Sequence, residues 1–240
     1  MTKYKIKSLS NISPKGLARL ENTSCSLVNS FEDPDGILIR SVAIDRAALK
    51  ASLKAISRAG VGVNNIPVDL CTKKGIVVFN TPGANANAVK ELVLGGLMLS
   101  SRNVYSSIDF VKSLEHIERM EELELFLEEK KKKFKGKELL GATLGVVGLG
   151  AIGSNVAKMG VALEMKVVGY DPALSVEAAW RLPSQVEPVD SLEDLFEKSD
   201  FITLHIPANE STKSIVNKDL LDHAKNVSLL NFARREIVNS

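Results

Sequence analysis

The residues best suited to chemistry are Gly148-Leu149-Gly150-Ala151-Ile152-Gly153, a G-x-G-x-x-G, and Asp171, eighteen positions beyond its last glycine. Glycines at these spacings suit a phosphate ligand. The first permits a tight turn, the second has no Cβ to block a pyrophosphate, and the third lets a following helix pack closely on a sheet. A helix starting there offers unpaired N–H groups and a partial positive charge to the phosphates. A carboxylate about 20 residues on accepts hydrogen bonds from ribose hydroxyls and repels a 2′-phosphate. Pro172-Ala173-Leu174 brings no arginine or lysine to that end. The cofactor expected is NAD rather than NADP.

Such a hexapeptide is weak alone, and its surroundings strengthen it. Thr143–Val147 is a β-branched apolar run, expected as a strand buried on both faces. Ser154–Leu163 follows with helical spacing, and Lys166–Tyr170 reads as a second strand ending at Asp171. The same alternation fills the rest of the chain. Tyr4–Leu9, Ser26–Asn29, Gly36–Arg40, Lys54–Arg58 and Ile76–Asn80 read as strands; Pro14–Leu20, Ala47–Leu53 and Val68–Lys74 read as helices, the last closed by Gly75. Downstream, Leu192–Glu197 and Asn217–His223 are helical, and Phe201–Ile206 and Ser228–Asn231 are strands. Strands alternating with helices imply mostly parallel sheets covered on both faces. The fold class is therefore α/β, with residues 1–100 as one domain and 101–240 as another.

Two helical stretches lie between these halves. Asn85–Val104 is apolar on most of its circumference and is expected to be buried nearly all round. Ser106–Phe134 is polar and runs into a lysine cluster, Lys130–Lys133, best read as a solvated helix end.

Composition excludes several classes. At 240 residues the chain can build two modest cores, and its 31 basic and 29 acidic residues leave a net charge of +2. No global field invites nucleic acid or an anionic membrane. No apolar run approaches the roughly 20 residues that span a bilayer, and the first residues lack the apolar centre of a signal peptide. Cys25 and Cys71 have no metal-like spacing and are expected as buried, reduced thiols of a cytoplasmic protein. His116 and His223 lie in polar helical contexts and read as surface residues.

Seven stretches match one family: IRS (39–41), RAGVGVNNIP (58–67), KKGIVVFNTPGANANAVKELVLG (73–95), LGVVGLGAIG (144–153), VVGYDP (167–172), LHIP (204–207) and NFAR (231–234). On these the chain resembles the D-isomer-specific 2-hydroxyacid dehydrogenases. The second and third stretches are far more specific than the glycine fingerprint. The resemblance implies two doubly wound parallel-sheet domains: a Rossmann nucleotide-binding domain inserted into a flavodoxin-like substrate domain. It implies NAD-dependent oxidation of D-3-phosphoglycerate to 3-phosphohydroxypyruvate, the entry to L-serine synthesis, by a homodimer. Turnover of glycerate/hydroxypyruvate or D-lactate, or a non-catalytic NAD-sensing role, are the alternatives.

Residue by residue, the resemblance assigns the cofactor to Gly148, Leu149, Gly150, Ala151 and Ile152, to Tyr170, Asp171 and Pro172, to His205, Ile206 and Pro207, and to Asn231, Phe232 and Ala233. Arg234 matches the catalytic arginine, which orients the substrate carboxylate and polarises the 2-oxygen. Arg40 and Arg58, with Gly60, Val61 and Gly62, match the substrate side, where guanidinium forks suit carboxylate and phosphate. Either arginine could equally serve a structural ion pair at a strand end. Asn85, Asn87 and Val89 match the cleft-facing start of the long helix. No metal is implied.

The chain departs from the pattern in three places. Arg235 stands where glycine is usual, which could alter the loop backbone, and Asn239 stands where aspartate is usual. The family's Glu–His pair, whose histidine handles the proton of the 2-oxygen, has no counterpart in these 240 residues. The chain is therefore expected to be a fragment, inactive by itself.

Overall fold

The computed structural model describes residues 3–21, 23–28, 33–115 and 119–239, and the chain divides into two compact units, Met1–Asn85 and Ala86–Ser240. In the first unit, short apolar runs form β1 (Tyr4–Ser8), β2 (Cys25–Leu27), β3 (Gly36–Ile39), β4 (Ala55–Arg58) and β5 (Val77–Phe79). They pair in the order β2-β1-β3-β4-β5, all parallel. Helices α1 (Pro14–Glu21) and α2 (Val68–Lys73) join them. Gly75 ends α2 at φ +70, the left-handed position that stops many helices. Ile39, Leu49, Ile56 and Cys71 are buried at the centre.

Two expectations change here. Ala47–Leu53 is not a helix: a single 3₁₀ turn covers Arg46–Ala48, capped by the Asp45 carboxylate accepting from the Ala47 N–H at 2.9 Å. The backbone leaves helical geometry at Leu49 (ψ 64), although Leu49 and Leu53 are both buried. Their four-residue spacing mimics a helical face that a short loop also satisfies. Cys71 is buried and its thiol is pushed up by burial, whereas Cys25 is only half-buried.

The second unit opens with α3 (Ala86–Ser101), α4 (Val104–Lys112) and α5 (Met120–Lys130). The long helix is shorter than its composition suggests, about 24 Å at 1.5 Å per residue, because Asn103 turns left-handed at φ 50. It is also one-sided in this chain. Val93 and Leu97 are fully buried, while Leu92 is 60% and Leu99 55% exposed. Gly96 lets the helix approach β10, since a Cβ there would lie 2.7 Å from Leu230 Cδ2. The second helical stretch likewise breaks into α4, α5 and a 3₁₀ turn at Lys131–Phe134. The Phe110 ring holds these pieces together, 5.0 Å from Phe134 and 6.0 Å from Phe126. Lys130 pairs with Glu129 and Lys131 with Glu128, as befits a solvated helix end. His116 lies outside the described residues.

The rest alternates regularly: β6 (Thr143–Val147), α6 (Ala151–Ala162), β7 (Lys166–Tyr170), α7 (Val176–Ala179), β8 (Val186–Pro188), α8 (Leu192–Lys198), β9 (Phe201–Leu204), α9 (Lys218–Leu221) and β10 (Ser228–Asn231). The sheet is parallel, ordered β10-β9-β6-β7-β8. β8 is legible only in the structure, being three residues long and ending in proline. Alternate side chains of β6 enter two cores: Leu144 and Val146 pack with Val93 and Val156, and Val147 packs with Phe196 and Ile202. Gly145 admits α8, for a Cβ there would sit 2.6 Å from Leu195 Cδ2. No helix is long and apolar enough to cross a membrane among the described residues.

Candidate dinucleotide-binding site

Strand register puts the site together. Val147 lies opposite Tyr170 on one side and Leu204 on the other, and Leu204 lies opposite Asn231. The strand ends Tyr170, Val147, Leu204 and Asn231 thus form one row at the carboxyl edge, spanning about 14 Å at the usual inter-strand spacing. The segments that follow, 148–150, 171–173, 205–207 and 232–234, hold most of the residues singled out in this unit, with Tyr170 and Asn231 on the strand ends and Ala151 and Ile152 opening α6. From β6 the sheet extends to β7 on one side and β9 on the other, the switch point where open α/β sheets place ligands.

Each part of the glycine bend has a structural cause. Gly148 sits at φ +87, and a Cβ on it would meet the His205 carbonyl oxygen at 2.9 Å. Its N–H donates to Tyr170 O at 2.8 Å, while the His205 N–H donates to Val147 O at 2.8 Å. Gly153 has no room at all, since a Cβ would lie 1.8 Å from Gly148 O. Gly150 is different: a Cβ there would meet nothing within 4 Å. Its backbone is ordinary (φ −65, ψ −162), and it caps α6 with no side-chain hydrogen bond. The fold does not require glycine at 150. A diphosphate lying on that spot would, and the uncapped first turn of α6 is free to receive it. The residues therefore fit a dinucleotide.

Asp171 closes β7 with both carboxylate oxygens engaged. Oδ2 accepts from the Leu149 N–H at 2.8 Å and Oδ1 from the Ala173 N–H at 3.0 Å. Each oxygen retains lone-pair capacity toward ribose hydroxyls. Tyr170 is half-buried against the core, and Pro172 is exposed.

At the other end of the row, His205 is half-buried with Nε2 2.9 Å from the Oγ1 of fully buried Thr203. Burial lowers its pKa to about 4, so the imidazole is neutral at physiological pH. Ile206 is half-buried and Pro207 exposed, its carbonyl accepting from Thr212 Oγ1 at 2.6 Å. Beyond β10, Phe232 and Ala233 lead to Arg234, which is exposed with Nη1 donating to Ala233 O at 2.9 Å. Leu229, Asn231, Ala233, Arg234, Arg235 and Val238 line an open depression beside it. Arg235 adopts 3₁₀ geometry over Arg235–Ile237 and is not among the positive-φ residues, so the arginine in the usual glycine position fits this loop unstrained.

The substrate-side residues of the first unit form their own knot. Arg40 O accepts from Arg58 Nε at 3.1 Å and Asn65 Nδ2 at 3.3 Å. Gly60 lies under the guanidinium, since a Cβ there would be 2.7 Å from Arg58 Nη1. Val61 O accepts from Asn80 Nδ2 at 2.8 Å, Gly62 is half-buried, and Asn85 is exposed at the end of the unit. Asn87 instead bonds Glu91 and Lys90 within α3, and Val89 packs on the core. His223 is exposed. Sequence reading missed Thr203 and Asn65, whose signal would have been a polar residue inside an otherwise apolar run and an asparagine flanking a glycine-rich turn.

Residues 104–240 match the family model described as D-isomer specific 2-hydroxyacid dehydrogenase, NAD binding domain, and the chain belongs to this family. NAD is the cofactor of the matched domain. A hydroxypyruvate reductase from Thermotoga maritima is 40% identical over 212 residues, covering 87% of this chain and 63% of that protein. A D-3-phosphoglycerate dehydrogenase from Methanocaldococcus jannaschii is 37% identical over 221 residues, covering 90% and 39%. Among solved structures, NAD+-bound 3-phosphoglycerate dehydrogenase from Entamoeba histolytica aligns with TM-score 0.73 at 26% identity, covering 98% of this chain and 74% of that one. The chain spans less than two thirds of the length of these two sequence relatives.

Proposed function

We propose that this protein carries out NAD-dependent oxidation of D-3-phosphoglycerate to 3-phosphohydroxypyruvate, feeding L-serine synthesis in the cytoplasm. The observation that carries the reading is the single row of strand ends, with Asp171 following one end and Arg234 the other. NAD, when bound, accepts the hydride. The N–H groups of Gly150, Ala151 and Ile152 hold its diphosphate, with Gly148 and Leu149 shaping the bend. Tyr170, Asp171 and Pro172 receive the adenosine. His205, Ile206, Pro207 and the backbone of Asn231, Phe232 and Ala233 border the remainder. Arg234 offers its unspent guanidinium N–H groups to the substrate carboxylate and 2-oxygen.

In this reading the first compact unit, Met1–Asn85, is the substrate-binding side and the second, from α3 onward, the NAD-binding side. Arg40, Arg58, Gly60, Val61, Gly62 and Asn85 serve the phosphorylated substrate. His205 is not assigned the reaction's proton, because burial lowers its pKa to about 4 and leaves it a weak base. Residues 1–240 by themselves are expected to bind NAD without turnover. The working form is a two-fold dimer, a reading supported by exposed Leu92 and Leu99 on α3 and Val111 on α4.

Glycerate/hydroxypyruvate is the second reading, favoured by the 40% identity to the hydroxypyruvate reductase. The test is NADH formation by the full-length protein with D-3-phosphoglycerate, D-glycerate and D-lactate in parallel. D-3-phosphoglycerate should have the highest kcat/KM; preference for glycerate or lactate would reassign the substrate.

A further inference from the structure

Asn231 closes β10, and both ends of its carboxamide are engaged in the loop that follows. Oδ1 accepts from the Ala233 N–H at 3.0 Å, and Nδ2 donates to Arg234 O at 2.9 Å. An asparagine bonding its own backbone two residues on is a common way to fix a turn. Here the second bond goes further and grips the carbonyl of the arginine itself. That carbonyl also accepts from the Ile237 N–H at 3.3 Å. Ile237 is fully buried, and Val216 N–H bonds Ile237 O at 3.1 Å. Arg234 is thereby held in extended geometry (φ −140, ψ 145) between an asparagine clamp on one side and a buried plug on the other. Its own side chain spends one N–H on Ala233 O, the neighbour whose N–H the clamp fixes.

We infer that Asn231 is a positioning residue, whose side chain sets the direction of the Arg234 guanidinium rather than touching the cofactor. The inference rests on Arg234 being the substrate-orienting group. Placement errors of about 1 Å far from the reacting atoms cost rate by about 100-fold, and one asparagine here governs two of the bonds that prevent them.

The test is a double-mutant cycle in the full-length protein, with NAD affinity followed separately by fluorescence titration. Asn231→Ala should lower kcat by at least about tenfold, a larger effect than on the NAD dissociation constant, because the loop backbone it steadies only borders the cofactor. In an Arg234→Ala background the same change should lower kcat by no more than about twofold, because the group it positions is gone. Asn231→Ser keeps an acceptor for the Ala233 N–H but cannot reach Arg234 O, and should recover part of the loss. Amide exchange at Ala233 should speed up in Asn231→Ala and recover in the serine variant. Equal losses in both backgrounds, or an NAD affinity that falls as far as kcat, would overturn the inference while leaving Arg234 its role. Full kcat in Arg234→Ala alone would overturn the functional reading beneath it.

Discussion

The main-chain N–H of Leu149 donates to Oδ2 of Asp171 at 2.8 Å, tying the middle of the glycine bend to the end of the neighbouring strand. The acid proposed to select the cofactor therefore also shapes the loop proposed to receive its phosphates, so in this reading removing the carboxylate harms both tasks.

Asp171→Ala should weaken NAD binding by about 10- to 100-fold, the equivalent of losing one or two charge-assisted hydrogen bonds. Discrimination against NADP should shrink in the same variant, because the repelling charge has gone. Titration of each dinucleotide measures both. Undiminished NAD affinity would remove Asp171 from the site.

Gly153 has no alternative. A methyl group at this position would lie 1.8 Å from Gly148 O, and the contact is with backbone, which cannot rotate away. Gly153→Ala should cost about 3 kcal/mol or more, at the upper end of overpacking penalties. Denaturant unfolding checks it, and near-native stability would mean that α6 slides freely on the sheet.

Acid should act through His205. Its folded pKa is about 4 against an ordinary 6.5, with burial as the cause. Between those values the unfolded chain binds the additional proton. The contribution is complete above the unfolded pKa and is lost as pH falls from 6.5 toward 4, by at most about 3 kcal/mol. His205→Gln should flatten that part of the stability curve. An imidazole proton resonance titrating near 6.5 would contradict the lowered value.

The exposed side of α3 gives a separate expectation. Leu99→Asp combined with Leu92→Asp places two charges on a face that is polar-tolerant in the monomer, since both side chains are more than half exposed. Sedimentation velocity should show loss of the proposed dimer with little change in unfolding temperature. An unchanged sedimentation coefficient would move the interface elsewhere.

Much of this was legible in the sequence, and the misses share a cause. β6, β7 and β10 were readable to the residue because each is a short run with an apolar centre between breaks in the pattern. The glycine spacing and Asp171 followed from the chemistry of holding phosphate and ribose. Edge strand β8 was hidden, as three residues ending in proline carry no periodic signal. The helix assigned over Ala47–Leu53 failed because Leu49 and Leu53 reach the core from a loop. The one-sided exposure of α3 could not be read from its composition, which is apolar on most of its circumference. Contacts such as Leu149 with Asp171, 22 residues apart, or Thr203 beneath His205, depend on the folded register and leave no local trace.

Gly150 offers the most direct test of the central claim, because the fold leaves that position open and a bound diphosphate would fill it. A Cβ there has no atom beyond its chain neighbours within 4 Å, and the backbone is extended, which suits valine. Calorimetric titration of NAD into the wild-type chain and into Gly150→Val should give clear binding in the first and none in the second, with equal unfolding temperatures. Equal NAD affinity in the two proteins would contradict the account, because the diphosphate would then lie somewhere other than this bend.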